Sequence, residues 1–345
     1  MSQRTIAVLI AAPLLLVLGV LAVAVPLPFA AYSPGPTFDI LAKDQNEAEL
    51  IQVDGHKTYR DDGQIRFTTV RSTGRYDELG LGALLQRWID PDQAVVPFEV
   101  AHPPDQTAEE DEIQGEISMV TSQDVAVAVA LEELGEKVKP LIQVAHVDDG
   151  SPAFGELRVR DKFLEVDGEP VRTTDDIVEG VRDHGPGDPV ELLVNRAGKR
   201  VTVQIEPEPE DGEMRIGVRL GLGYEFPFDV SIHVDESIGG PSAGLMFSLA
   251  VYDTLTPGSL TGGEVVAGTG EIGPDGKVGP IGGIEQKIAG AEDAGAELFL
   301  VPPDNCTDVS GLDPDLRLVK ATTMHDARLA IEAWAEDPDA ELPAC

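Results

Sequence analysis

The sequence predicts an α+β protein behind an apolar N-terminal helix, and three observations carry that expectation. Thr5 to Val25, TIAVLIAAPLLLVLGVLAVAV, holds no charge. A central stretch of about 70 residues breaks into short strands and one helix at Asp-Gly and Ala-Gly turns. The last third mixes strands and helices without the regular βαβ alternation of a doubly wound sheet.

Composition narrows the function classes. With 345 residues the chain has room for two domains and a sizeable core. Its net charge of −37, from 62 acidic and 25 basic residues, repels phosphate backbones and argues against nucleic acid as a partner. Cysteine occurs twice, at Cys306 and Cys345; an oxidising compartment would let them pair and tie the last residue to the domain. No Cys/His cluster has metal-ligand spacing, so neither a metal nor another cofactor is expected.

The apolar run is long enough to span a bilayer, at ~1.5 Å per residue against a hydrocarbon core of about 30 Å. Arg4 precedes it and no charge follows from Pro26 to Phe38, which favours a cytoplasmic N-terminus and an external, single-pass body. Cleavage after Ala22-Val23-Ala24 as a signal peptide is the alternative, and a body facing the cytosol is a further one. Next, Gly63 to Val70 alternates as a strand. Leu81, Leu84, Leu85 and Trp88 then fall at helical spacing on one side of a helix. Ala101 to Glu116 reads as an acidic, proline-containing surface loop, followed by a helix capped by Ser122 and ended by Gly135.

The central module is expected to place strands at Leu141–Val147, Lys162–Val166, Pro189–Asn195 and Arg200–Ile205, with a helix at Thr174–Arg182. Its VDDGSPA and RVRDKFLEVDGEPV segments resemble PDZ domains of the bacterial protease-associated kind, although Arg160 stands where glycine is common. The resemblance implies a peptide groove between the first strand (Leu141, Ile142, Val144) and the helix (Ile177, Val181). Residues Gly135 to Pro140 would receive the peptide carboxylate. Glu206 to Glu213 reads as the linker that closes the module.

The final third holds the candidate chemistry. In GGPSAGL, Ser242 stands where a glycine-rich turn enters a helix, so it is either a cap or a nucleophile. The segment also fits G-x-S-x-G, which would make His325 the base, but the preceding strand ends near Val234, too early for a nucleophile elbow. His233 is a second candidate base. Lys287, between Ile284 and Ile288, is a third, because burial lowers the cost of a neutral amine.

GPSAG followed by GTGEIGPDGKVGPIGGIEQK closely resembles the proteolytic domain of Lon-type serine peptidases, over Ser237 to about Pro302. The whole chain looks like the membrane-anchored, PDZ-containing Lon-like proteases of bacteria. The resemblance implies a Lon-type proteolytic domain with an inserted PDZ domain, behind a transmembrane helix. Ser242 would be the nucleophile, Lys287 the general base and Thr269 the hydroxyl that orients the amine, with Gly240 and Pro241 supporting the turn. The implied organisation is an anchor at 5–25, the first part of the protease at 31–134, the PDZ insert at 136–210, the catalytic part at 213–336 and a tail at 337–345. Two departures stand out: Gly239 occupies a position that is commonly acidic, and no G-x-x-x-x-G-K-[ST] occurs. The expected function is therefore an ATP-independent, membrane-tethered serine endopeptidase acting on proteins or peptides, including membrane-protein segments. A homo-oligomeric ring is implied by the resemblance alone. The alternative is a catalytically silent peptide-binding scaffold.

Overall fold

The structure is a computed structural model and describes residues 2–345 apart from 45, 78, 105, 211, 236 and 237. Ser237, where the Lon-like stretch begins, thus lies outside the described residues. Helix α1 (Gln3–Ala24) opens the chain; its window Gln3–Val20 has a mean hydropathy of 2.0 and is wholly unburied. The strands that follow are β1 (Pro26–Leu27), β2 (Phe29–Asp39), β3 (Ile51–Asp54), β4 (Gln64–Ser72) and β5 (Leu79–Gly80). Then come helix α2 (Leu81–Ile89), strand β6 (Ala94–Pro97), and helices α3 (Phe98–Ala101) and α4 (Ala108–Glu133).

Two of the expectations for this half are corrected. Helix α4 starts at Ala108, not at Ser122, because Thr107 and Glu110 form a reciprocal capping box, with Glu109, Glu110 and Asp111 in the first turn where the helix dipole favours them. The acidic stretch read as a loop is thus mostly helix, and Ser122 is an interior, buried residue. Gly135 does end the helix region, at φ +85°. On α2 only Leu84 is buried; Leu81, Leu85 and Trp88 are 40%, 43% and 74% exposed. Helical spacing shows which residues share a face, not whether protein covers it.

The central module contains β7 (Lys139–Val147), β8 (Lys162–Val166), β9 (Glu169–Pro170), α5 (Thr174–Arg182), β10 (Val190–Arg196) and β11 (Lys199–Ile205). Its main sheet has the order β11-β10-β8-β7, and its core includes Val144, Phe163, Ile177, Leu192 and Val194. Type-specific turns separate the strands: Asp167-Gly168 and Ala197-Gly198 both take positive φ at each residue, as primed hairpin turns require. Asp161 is buried and receives two bonds from Arg196, 2.8 and 2.6 Å long. Arg160 sits at φ +68°, the left-handed region that explains glycine's usual presence there. Its guanidinium reaches across to Gln123 and Asp124 of α4.

The expected linker is not one. It forms a hairpin of β12 (Glu208–Glu210) and β13 (Glu213–Arg215), and the chain then returns as β14 (Val218–Glu225), which joins the module's sheet beside β7.

The remaining elements are β15 (Asp229–Ile232), α6 (Gly244–Leu255), β16 (Val265–Gly268), β17 (Glu271–Ile272), β18 (Val278–Gly279), α7 (Ile284–Asp293), β19 (Leu298–Val301), β20 (Arg317–Lys320) and α8 (Met324–Glu336). They complete a second sheet, β20-β19-β16-β4-β2-β6, parallel from β20 to β4 and antiparallel beyond. Side chains alternate across it. Ile65, Phe67, Val266, Leu298 and Leu300 face a core shared with α4, α6 and α8. Ala267, Phe299 and Val301 face Ile284, Ile288 and Ala291 of α7. The sheet thus separates α6 from α7, and anything joining those helices must pass its edge or the ends of its strands.

Cys306 and Cys345 form a disulfide across 39 residues, closing the end of the chain onto the segment after β19. In the chain-entropy picture a loop of that size contributes about 4 kcal/mol. Reduction is expected to lower the urea midpoint of the folded body; a midpoint unchanged by reductant would show that the tail adds no cooperative stability.

Candidate active site

Ser242 lies two residues before α6, and the N-cap position is Ala243, without a side-chain cap bond. The cap role is therefore not what its hydroxyl performs. The turn that carries it is held from several sides. Gly240 N–H donates to Gly115 O of α4 at 3.1 Å, and Gly244 N–H to Pro241 O at 3.2 Å. Ser122 Oγ donates to Pro241 O at 3.0 Å, while Ser242 O accepts from Gly270 N–H at 2.8 Å and from Thr269 Oγ1 at 3.0 Å. With its backbone fixed in this way, the serine side chain is aimed by the fold.

Gly239 has a packing explanation. A Cβ there would stand 3.4 Å from the Cα and C of Gly115, so the loop crosses α4 where both chains lack side chains. Gly244 is tighter still: its Cβ would approach Ile272 Cγ2 at 2.7 Å and Ser122 Oγ at 2.8 Å, closer than atoms tolerate.

Lys287 projects from α7, the helix on the other face of the sheet, and is only 4% exposed. It does not snorkel to solvent. Its Nζ lies 2.8 Å from Ser242 Oγ, 3.1 Å from Thr269 Oγ1 and 3.1 Å from Thr68 O. Three acceptors match the three N–H bonds of an ammonium. Burial nonetheless favours the neutral amine and lowers the Lys287 pKa from 10.5 to about 8. Each of the four groups comes from a different place: Ser242 from the turn before α6, Thr269 from the residue after β16, Lys287 from α7, and Thr68 from β4. The pairing of β4 with β16 ends at Phe67 and Gly268, and the lysine occupies the space just past that end.

Thr68 was not found from sequence. It acts through a backbone carbonyl, which any residue would supply, so no residue-type signal marks it. The two histidine alternatives lie elsewhere: His325 Nδ1 bonds Glu133 at 2.7 Å, and His233 Nε2 bonds Ser231 Oγ at 3.0 Å. The serine and lysine open on a cleft of about 550 Å³ bounded by Phe38, Thr69, Arg71, Ile238, Glu271 and Ile281. At its wall, the backbone N–H groups of Ser242 and Ala243 have no hydrogen-bond partner among the described residues. Gly240 N–H is already committed to Gly115.

The expected peptide groove of the central module is corrected. Strand β14 pairs antiparallel with β7 along its length, setting Leu220 against Val144, Leu222 against Ile142 and Gly223 against Leu141. Val144, Ile177 and Val181 are buried in a cluster with Ile216 against which Val218 and Leu220 pack. The strand edge reserved for a guest is taken by the chain itself. Even the carboxylate end is filled, since Tyr224 stands opposite Pro140 and Glu225 opposite Lys139, with Lys139 Nζ 3.8 Å from the Glu225 carboxylate. The physical reason is connectivity: β11 lies at the edge of the module's sheet away from β7, and the chain runs back beside β7 as β14 before it continues into β15. A hollow of about 340 Å³ remains between α5 and Met214–Leu220.

Residues 221–327 match the family model of the Lon protease (S16) C-terminal proteolytic domain, and residues 119–206 match that of the PDZ domain. The chain is 36% identical over 103 residues to Lon protease 1 of Bacillus subtilis, covering 28% of this chain and 13% of that protein. It is 40% identical over 104 residues to Lon protease 2 of Herpetosiphon aurantiacus, covering 29% and 12%. The match thus spans about an eighth of the length of these relatives. Among solved structures, the PDZ domain of the SdrC-like protein from Listeria innocua overlaps 23% of this chain and 92% of that one, at 22% identity and a TM-score of 0.22.

Proposed function

We propose, for a chain that carries a Lon-type proteolytic domain and a PDZ domain, that it is a membrane-tethered serine endopeptidase working by a Ser242–Lys287 dyad without ATP. The observation that carries this reading is the buried Lys287 amine 2.8 Å from Ser242 Oγ. In the neutral form the amine has a lone pair for the hydroxyl proton, so Ser242 Oγ can attack the scissile carbonyl as Lys287 becomes an ammonium. The tetrahedral oxyanion would be met by the N–H groups of Ser242 and Ala243. Lys287 then returns the proton to the leaving amine, the C–N bond breaks, and an acyl ester remains on Ser242. Water attacks that ester, with Lys287 as base again, and the released acid leaves the serine as it began. Thr269 supports the cycle by donating to Ser242 O, which leaves its oxygen lone pairs toward the lysine.

A chain without a phosphate-binding loop motif has no evident means of using ATP to unfold its substrates, so flexible segments and membrane-protein tails are the substrates this site suits. Helix α1 would hold the body at the membrane, and its flanking charges favour the extracytoplasmic side.

The test is labelling with a peptide boronate, which bonds to an activated serine. An adduct mapped to Ser242, together with cleavage of an unstructured protein, supports the reading. A folded chain that takes no adduct and cleaves nothing would instead be a scaffold. The pH profile offers an independent check. The base works only when neutral, so kcat/KM is expected to rise with pH and level off above about 8, the value to which burial brings Lys287. A profile flat from pH 6 to 9 would exclude lysine as the base.

A further inference from the structure

The outer face of α2 is unlike the rest of the folded body. Leu81, Leu85, Trp88 and Ile89 fall on one side of the helix and are 40%, 43%, 74% and 78% exposed. Its one charged residue, Arg87, lies in the last turn. Leu84, at the edge of that stripe, holds the helix down, buried with Ala31 and Leu79. Isolated apolar side chains are common on surfaces, but an indole and three aliphatic chains in one contiguous stripe mark an interaction site.

The position of this stripe identifies its partner. Gly80, directly before α2, is paired with Pro26, and Leu79 with Leu27. Pro26 follows the end of α1 at Ala24 by two residues. Paired strands are about 5 Å apart, so α2 starts where the chain leaves α1, and α1 and α2 are in contact. A helix fixed at the exit of a membrane span lies at head-group depth, where Trp is favoured and an Arg can direct its charge to the head groups. We infer that the Leu81–Leu85–Trp88–Ile89 face of α2 lies in the interfacial layer of the bilayer entered by α1, seating the protease body against the membrane surface. This rests on α1 being a membrane anchor, as read under the proposed function. Apolar burial and not charge drives the contact, since a chain with net charge −37 gains nothing from anionic lipid. The consequence for catalysis is spatial: the cleft is held at a fixed height, within reach of chain segments emerging from the same bilayer.

The chain has two tryptophans, and only Trp88 is exposed, Trp334 being 5% exposed in the core. Full-length protein reconstituted in phosphatidylcholine vesicles with brominated acyl chains therefore reports on this face. Emission is expected to fall roughly twofold relative to unbrominated vesicles, most with bromines near the head groups, as for an interfacial helix. The Trp88→Phe variant should lose that quenching while floating with the vesicles as before. Protein that floats but shows no Trp88 quenching overturns this inference and leaves the anchor intact. Protein that does not float overturns the anchor reading and this inference together. Emission shielded in proportion to protein density, and indifferent to bromine, would mean that a second copy of the chain covers the face, which also overturns it.

Discussion

Replacing Ser242 with alanine is expected to lower kcat/KM for an unstructured substrate on the order of 10⁴-fold or more, with the fold intact. The hydroxyl is not a cap, so its loss removes no helix-end bond; the backbone of Ser242 stays fixed through its carbonyl. Lys287→Ala should lose nearly as much, and the double variant little more than either, because nucleophile and base act as one unit. Lys287→Met separates chemistry from stability. It keeps the aliphatic stem, removes activity, and relieves a buried ammonium whose lowered pKa corresponds to a penalty of about 3 kcal/mol, offset in part by three lost hydrogen bonds. The sign follows from linkage. Below pH 8 the lysine is charged in both states and the folded state bears the whole penalty. Between about 8 and 10.5 the unfolded chain binds more protons, so the parent gains stability as pH rises. The methionine variant should show no such rise. Wild-type activity in either alanine variant would remove the dyad, and a parent stability flat across that window would mean the amine is not desolvated.

How much of this was legible in the sequence depends on what each residue does. Ser242, Thr269 and Lys287 lie in motifs that constrain residue type, and the fold brings these three together. The burial of Lys287 was not legible, because its helix also reads as amphipathic with the lysine outside; only a second layer beyond β4 and β16 closes over it. Thr68 contributes a carbonyl, for which sequence has no sign. The T-x-x-E signal at Thr107 was present, but acidic composition and nearby prolines masked it, and Ser122 was mistaken for the cap. On α2 the period was right, but spacing alone does not say what covers a stripe: Leu84 is buried while Leu81, Leu85 and Trp88 are exposed. The role of β14 was hidden for a different reason. VRLGLGYE alternates apolar residues with glycine or charged ones as an ordinary strand would, and nothing local says which sheet it joins.

That strand is the basis of the second large effect, which concerns peptide binding. An external peptide must compete for the β7 edge with β14, which is covalently tethered and therefore present at an effective concentration of about millimolar or above. If β14 as a free segment held the β7 edge with a Kd of about 10 µM, a guest peptide would thus bind the parent roughly 100-fold more weakly. Leu220→Asp places a carboxylate opposite Val144 within the apolar cluster and should loosen β14 while leaving the residues of β7 and α5 unchanged. The expected result is an apparent Kd about 100-fold lower for an apolar peptide, read by fluorescence anisotropy, with hydrogen exchange at β7 accelerated before peptide and slowed after it. Within β14, Leu222 O accepts from Gln143 of β7, which also donates to Asp124 of α4. From α4, Gly115 and Ser122 hold the Ser242 turn. Displacing β14 should therefore also change cleavage rate, because the strand in the groove and the turn at the nucleophile share one helix. Equal peptide affinity in parent and variant would show that β14 is a permanent strand of the module, with the hollow beside α5 as the only remaining place for a ligand among the described residues of that face.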